Sequence, residues 1–162
     1  MPSAARQKSI LIRLADAGVE AIVVGMTSAV IQGVPTTTWD LDIVHRRTPE
    51  NVERLLRVLE ELDAVARGDS RRLRPGSSHL LGPGHVLLET RFGDFDCLGS
   101  IDGDRDYDDL LPTSAVVDLD GRTIRVLELR ELLEIKKRAG RAKDLAMVPY
   151  IQATIDELAR RG

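Results

Sequence analysis

The 162-residue chain has one cysteine, Cys97, which excludes an intramolecular disulfide and a cysteine-rich zinc site. No apolar run is long enough to span a membrane, and the start, Met1-Pro2-Ser3-Ala4-Ala5-Arg6, lacks the apolar stretch of a signal peptide. The expectation is a cytoplasmic protein with no membrane partner. A net charge of only -3 argues against broad non-specific nucleic-acid binding and leaves a local basic patch open. Aromatics make up just 3% of the residues. With many Arg and Ala, that scarcity reflects a GC-rich coding sequence rather than a function.

What is present is ordinary for a globular protein: 43% hydrophobic and 30% charged residues, in a length that fits one domain over residues 1–162. Helical spacing of Ile10, Leu11, Leu14 and Ala15 predicts a helix stopped by Gly18. Residues 19–24 read as a buried strand ending at Gly25, followed by a short helix over 27–32. Thr48 and Pro49 supply an N-cap and first turn for a helix with a Leu55, Leu56, Leu59 and Leu62 stripe. Residues 66–84 read as a loop. Two hairpins follow, around Phe92-Gly93 and Asp120-Gly121. Helices over 128–138 and 143–160, separated by Gly140, finish the chain. Alternating strands and helices followed by clustered strands predict an α+β fold with a mixed sheet, flanked by helices and closed by C-terminal helices.

The chain is organised around Thr38-Trp39-Asp40-Leu41-Asp42-Ile43-Val44. On a strand, Asp40 and Asp42 share one face, roughly 6.5 Å apart along the chain, with Leu41 and Ile43 on the other. Two buried like charges are costly without a cation, so the pair points to a divalent metal. The alternative is an edge strand with a solvated acidic face.

Three further stretches bear on function. At Gly25-Met26-Thr27-Ser28, a strand runs into a helix through a glycine, which lets a backbone approach closely and leaves N–H groups that favour phosphate. In Asp94-Phe95-Asp96, Asp94 reads as a turn residue. Asp96, inside an apolar run, reads as a third carboxylate, provided that its strand lies beside the first. The basic cluster from Lys136 to Lys143, followed by Asp144, lies around a helix end. It serves either the helix dipole or the phosphates of a nucleotide.

In this order, the apolar strand, Gly25 turn, Gly33, Asp40-x-Asp42, Asp96 and the Lys136…Arg141-x-Lys143-Asp144 stretch resemble the nucleotidyltransferase superfamily related to DNA polymerase β, over residues 19–150. Within it, the chain looks most like the small AbiEii-type nucleotidyltransferase toxins. The resemblance implies a two-metal magnesium (Mg2+) site on Asp40, Asp42 and Asp96. It implies an NTP held by Gly25, Thr27, Ser28, Lys136, Arg141, Lys143 and Asp144. The reaction it implies is transfer of an NMP to a hydroxyl on RNA (a tRNA 3′ end, for instance) or protein, with an antitoxin or other protein as partner. The chain departs from the pattern at Met26, where the family turn usually has Gly or Ser, and at Thr36, where many relatives have arginine. A non-catalytic nucleotide- or partner-binding module is the second reading. Arg71, Arg72 and Arg74 are candidate RNA contacts, and His45 is the histidine expected nearest the site. The acidic run Asp102-x-Asp104-x-Asp106 lacks the glycine and glutamate of a calcium loop.

Overall fold

The computed structural model describes residues 2–162. Its elements run α1 (Ser3–Asp16), β1 (Ala21–Val24), α2 (Gly25–Ile31), β2 (Leu41–His45), α3 (Pro49–Glu61), β3 (Val65–Ala66), α4 (Ser77–Leu81), β4 (His85–Thr90) and β5 (Gly93–Leu98). They continue with α5 (Tyr107–Leu110), a 3-10 turn (Leu111–Thr113), β6 (Ser114–Leu119), β7 (Arg122–Leu127), α6 (Leu129–Ala139) and α7 (Ala142–Arg161). Seven strands form one mixed sheet in the order β3-β4-β5-β2-β1-β7-β6. The pairs β2·β5 and β1·β7 are parallel, and the other neighbours are antiparallel. This is the α+β architecture expected from the sequence.

Period-two alternation gives each sheet face its own core. Ile43 and Phe95 point toward α1 and α3, where they meet Ile10, Leu14, Leu55 and Leu59. Ile22, Val44 and Leu127 point the other way, against Ala29 of α2, Leu132 of α6 and Ile151 of α7. Asp42 and Asp96 alternate with Ile43 and Phe95, so they lie on the α2/α6/α7 face. Cys97 is fully buried in the opposite core, and that burial pushes its thiol pKa up.

Both hairpins form. Asp120 and Gly121 carry positive φ angles of 52° and 84° at the two-residue turn, as a tight hairpin requires. Three expectations need correction. Asp94 is a strand residue, paired with Glu89, and the turn is instead Arg91-Phe92, between the Thr90–Gly93 pair. The stretch 66–84 holds the short helix α4, too brief to show a helical period; its Leu80 is fully buried. His45 lies on the α4 side of β2, across the sheet from Asp42. Its Nε2 meets the Leu80 carbonyl at 2.7 Å, and burial lowers its pKa.

Asn51 takes the place of a strand rung between β1 and β2. Its side chain, wholly buried, accepts from the Glu20 N–H (2.7 Å) and donates to the Glu20 and Arg46 carbonyls (2.9 and 2.8 Å). Removing it strands the Glu20 N–H and the Arg46 carbonyl, while the Glu20 carbonyl keeps the Arg46 N–H at 3.1 Å. Asn51→Ala is expected to cost about 2–3 kcal/mol of stability, measured by urea unfolding. A loss within the scatter of surface substitutions would deny Asn51 this role.

Candidate active site at the β2–β5 junction

The parallel register places Asp42 directly opposite Asp96, on strands spaced roughly 4.8 Å apart. Asp42 is partly buried and Asp96 is 7% exposed. Two carboxyls held this way share a proton more readily than they both ionise. Burial first, then the hydrogen bond and charge of Asp96 and the charge of Asp40, push the Asp42 pKa up to about 7, against the opposing pull of Arg67.

Asp40 sits differently from the sequence expectation. The strand begins at Leu41, so Asp40 stands just outside it and is exposed, as is Trp39 at 69%. Its charge still acts on Asp42 and Arg67. The costly buried like-charge pair is therefore Asp42 with Asp96 rather than Asp42 with Asp40.

Gly25 joins β1 to α2 with a φ of 64°. A Cβ there would stand 2.8 Å from Asp42 Oδ2, so only glycine lets the backbone pass the carboxylate. Thr27 and Ser28 do not line the cleft. Both are buried, and buried hydroxyls need partners. Thr27 Oγ1 donates to the Asp40 carbonyl at 3.0 Å, and Ser28 Oγ donates to the Gly25 carbonyl at 2.8 Å. They fix the Gly25 turn and the approach to β2 rather than reach a ligand. Met26 packs against the apolar core beneath α6 and α7.

Beyond Gly25 and Asp42 opens a cleft of about 420 Å³, walled by Leu98, Ile101, Leu127, Leu132 and Ile135 and bounded by Lys136, Arg141 and Asp144. Gly140, at φ 66°, turns α6 into α7, which brings the last turn of one against the first turn of the next. Lys136 Nζ then lies 3.1 Å from Asp144 Oδ1, and Arg141 Nε lies 2.5 Å from Oδ2. The Asp144 carboxylate is 1% exposed. The hydrogen bond from Arg141, opposed by burial and helped by Lys136, holds it below the usual carboxylate range. Two cations on one anion leave one net positive charge at the cleft. Lys143 is exposed and outside the cleft, because one residue of helical advance from buried Asp144 carries it to the outer face.

Sequence reasoning missed Arg67, which follows β3. Its guanidinium bonds to Asp96 Oδ1, donates to the Leu88 carbonyl at 2.9 Å and stands 3.3 Å from Asp94 Oδ2. The distant strand pairing that brings it there leaves no local signature. Asp102 and Arg138, also at the cleft, are paired at 2.7 Å. The loop arginines are committed elsewhere: Arg71 to Asp69, and Arg72 and Arg74 to Asp63. Arg74 also lies against Leu56 and Leu59 of α3, across the sheet from Asp42.

Among the described residues, no three His, Cys, Asp or Glu side chains converge to enclose a metal ion by themselves. Magnesium needs fewer, since it commonly takes one or two carboxylates and completes its shell with water and phosphate oxygens. The facing Asp42–Asp96 pair suits that donor set. No helix among the described residues is long and apolar enough to cross a membrane.

Two solved structures share this architecture. A Thermotoga maritima protein, crystallised as a candidate nucleotidyltransferase, is 21% identical, with a TM-score of 0.55 over 87% of this chain and 86% of its own. The antibiotic-resistance factor ANT(2'')-Ia is 13% identical, with a TM-score of 0.61 over 96% of this chain and 86% of its own. No protein-family model and no curated protein matches the sequence. The chain thus has a nucleotidyltransferase-like fold.

Because the folded state holds the Asp42 proton more tightly than the ordinary value of 3.8, Asp42 contributes most to stability at low pH. That contribution is lost as pH rises through about 7. Without metal, Asp42→Asn is expected to gain stability relative to wild type as pH rises from 5, the difference growing to about pH 7 and levelling above it. Parallel melting-temperature profiles for the two proteins would show that Asp42 titrates normally.

Proposed function

We propose that the protein is a magnesium-dependent nucleotidyltransferase, moving an NMP from an NTP to a hydroxyl acceptor. The observation that carries this reading is that Asp42, paired across the strands with Asp96, lines the same cleft as the Lys136–Arg141–Asp144 cluster. Fold similarity supports the class of chemistry and leaves its substrates open.

Asp42 and Asp96, with Asp40 at the rim, are the residues that would hold Mg2+. When bound, the metal would polarise the α-phosphate and offset charge on the leaving pyrophosphate. Lys136 and Arg141 face triphosphate oxygens, Arg141 through its planar fork and Lys136 as a point charge. Asp144 does not bind nucleotide in this account; it fixes the two cations and limits their net charge to one. The apolar wall from Leu98 to Ile135 gives the nucleoside a dry surface. Asp96 takes the proton of the attacking hydroxyl as the new P–O bond forms and the bond to pyrophosphate breaks.

The acceptor lies outside the nucleotide cleft, on the side of Asp96. RNA and protein hydroxyls are both compatible with this chemistry. Arg71, Arg72 and Arg74 form exposed surface pairs with Asp69 and Asp63, and pairs of that kind are weak enough for an RNA phosphate to displace. The finer likeness to AbiEii-type toxins, and with it an antitoxin partner, rests on the motif order alone.

The test follows label from each α-labelled NTP, with Mg2+, into total RNA and into protein. Asp96→Asn is expected to reduce transfer by about 10²–10⁴-fold, and Asp42→Asn to abolish it, with nucleotide binding partly retained through Lys136 and Arg141. Nucleotide binding without transfer to either acceptor would favour the non-catalytic module instead.

A further inference from the structure

Among the described residues, four carboxylates surround the β2–β5 junction (Asp40, Asp42, Asp94 and Asp96), and one cation, Arg67, bonds to Asp96, stands 3.3 Å from Asp94 and acts by its charge on Asp40 and Asp42. Its anchoring is uneven. The backbone N–H of Arg67 donates to the Leu87 carbonyl at 3.0 Å, and Nη2 donates to the Leu88 carbonyl and to Asp96. Nε is buried yet makes no well-formed hydrogen bond, although Asp94 Oδ2 lies 3.3 Å away. The guanidinium thus makes one hydrogen bond to Asp96, through Nη2, and only an unbonded charge contact with Asp94, through Nε. The Asp94 side chain is 41% exposed against 11% for Asp96, so Asp94 can turn to meet the guanidinium with less disturbance.

We propose that Arg67 is a tethered counter-cation that regulates this site. It holds Asp96 while no divalent cation is bound, and it transfers to Asp94 when a cation takes the Asp96 oxygen. The inference rests on the reading above that Asp42 and Asp96 hold a divalent cation.

Physically, a metal that takes Asp96 has to displace a charge-assisted hydrogen bond in a partly desolvated setting, which costs more than breaking an exposed pair. Arginine keeps its charge throughout, so the site is never left as an uncompensated cluster of anions. The same bond penalises metal binding in the absence of nucleotide. An NTP brings its own phosphate oxygens to the ion, and these offset the penalty. Arg67 is thereby a positioning residue that ties metal loading to nucleotide loading.

The test is a Mn2+ titration of the nucleotide-free full chain followed by electron paramagnetic resonance. Arg67→Met is expected to bind Mn2+ about tenfold more tightly than wild type, a change of the size seen between coupled neighbours. Arg67→Gln, which keeps an amide donor for the Leu88 carbonyl, is expected to move in the same direction and serves if the Met variant does not fold. Asp94→Asn is expected to weaken Mn2+ binding more in the wild-type background than beside Arg67→Met. Equal or weaker binding by both Arg67 variants would overturn the proposal and leave the metal-site reading standing. Failure of wild type and variants alike to bind Mn2+ would overturn both.

Discussion

The site depends on the parallel pairing of β2 with β5, which fixes Asp42 opposite Asp96. Neither carboxylate can move away without disturbing a strand whose alternate residues, Leu41, Ile43, Phe95 and Cys97, are fully buried in the opposite core. The apolar packing of one sheet face therefore enforces an electrostatic conflict on the other. A shared proton relieves part of that conflict, and Arg67 relieves more. A divalent cation with phosphate is the chemical group best suited to relieve the rest.

The rest of the architecture keeps that face accessible and supplies its complement. Gly25 permits the backbone to pass within contact of Asp42, and Thr27 and Ser28 lock the turn by hydrogen bonds to carbonyls. The left-handed Gly140 folds α7 back on α6, so Lys136 from the end of α6 and Arg141 at the N-cap of α7 meet on the buried Asp144 carboxylate. Asp144 is also well placed by the α7 dipole, which favours an anion in the first turn. Asp42 and the Lys136–Arg141–Asp144 cluster thus line one largely apolar cleft, an arrangement that suits a metal-bound molecule with an anionic tail and an apolar head.

Much of this was legible in the sequence, for identifiable reasons. Apolar runs bounded by glycine marked β1 and β5, the Thr48-Pro49 pair marked the start of α3, and Asp120-Gly121 marked a hairpin, because each signal is local. The shared face of Asp42 and Asp96 followed once their strands were taken as neighbours. What stayed hidden was set by tertiary placement. Thr27, Ser28 and Lys143 have ligand-like chemistry, yet burial turns two of them to backbone carbonyls and helical advance carries the third outward. The strand boundary at Leu41 moves Asp40 to the rim. Arg67 enters only because β3 pairs with β4, which brings residue 67 beside residues 94 and 96.

The central claim is that the Asp42–Asp96 pair and the Lys136–Arg141 pair bind the two ends of one metal–nucleotide complex. Diffraction from crystals grown with Mn2+ and a non-hydrolysable NTP, using the anomalous signal of manganese, tests it most directly. The account predicts manganese between Asp42 and Asp96, with triphosphate oxygens reaching Lys136 and Arg141. Manganese away from this carboxylate pair, or a nucleotide bound outside the α6–α7 cleft, would contradict it.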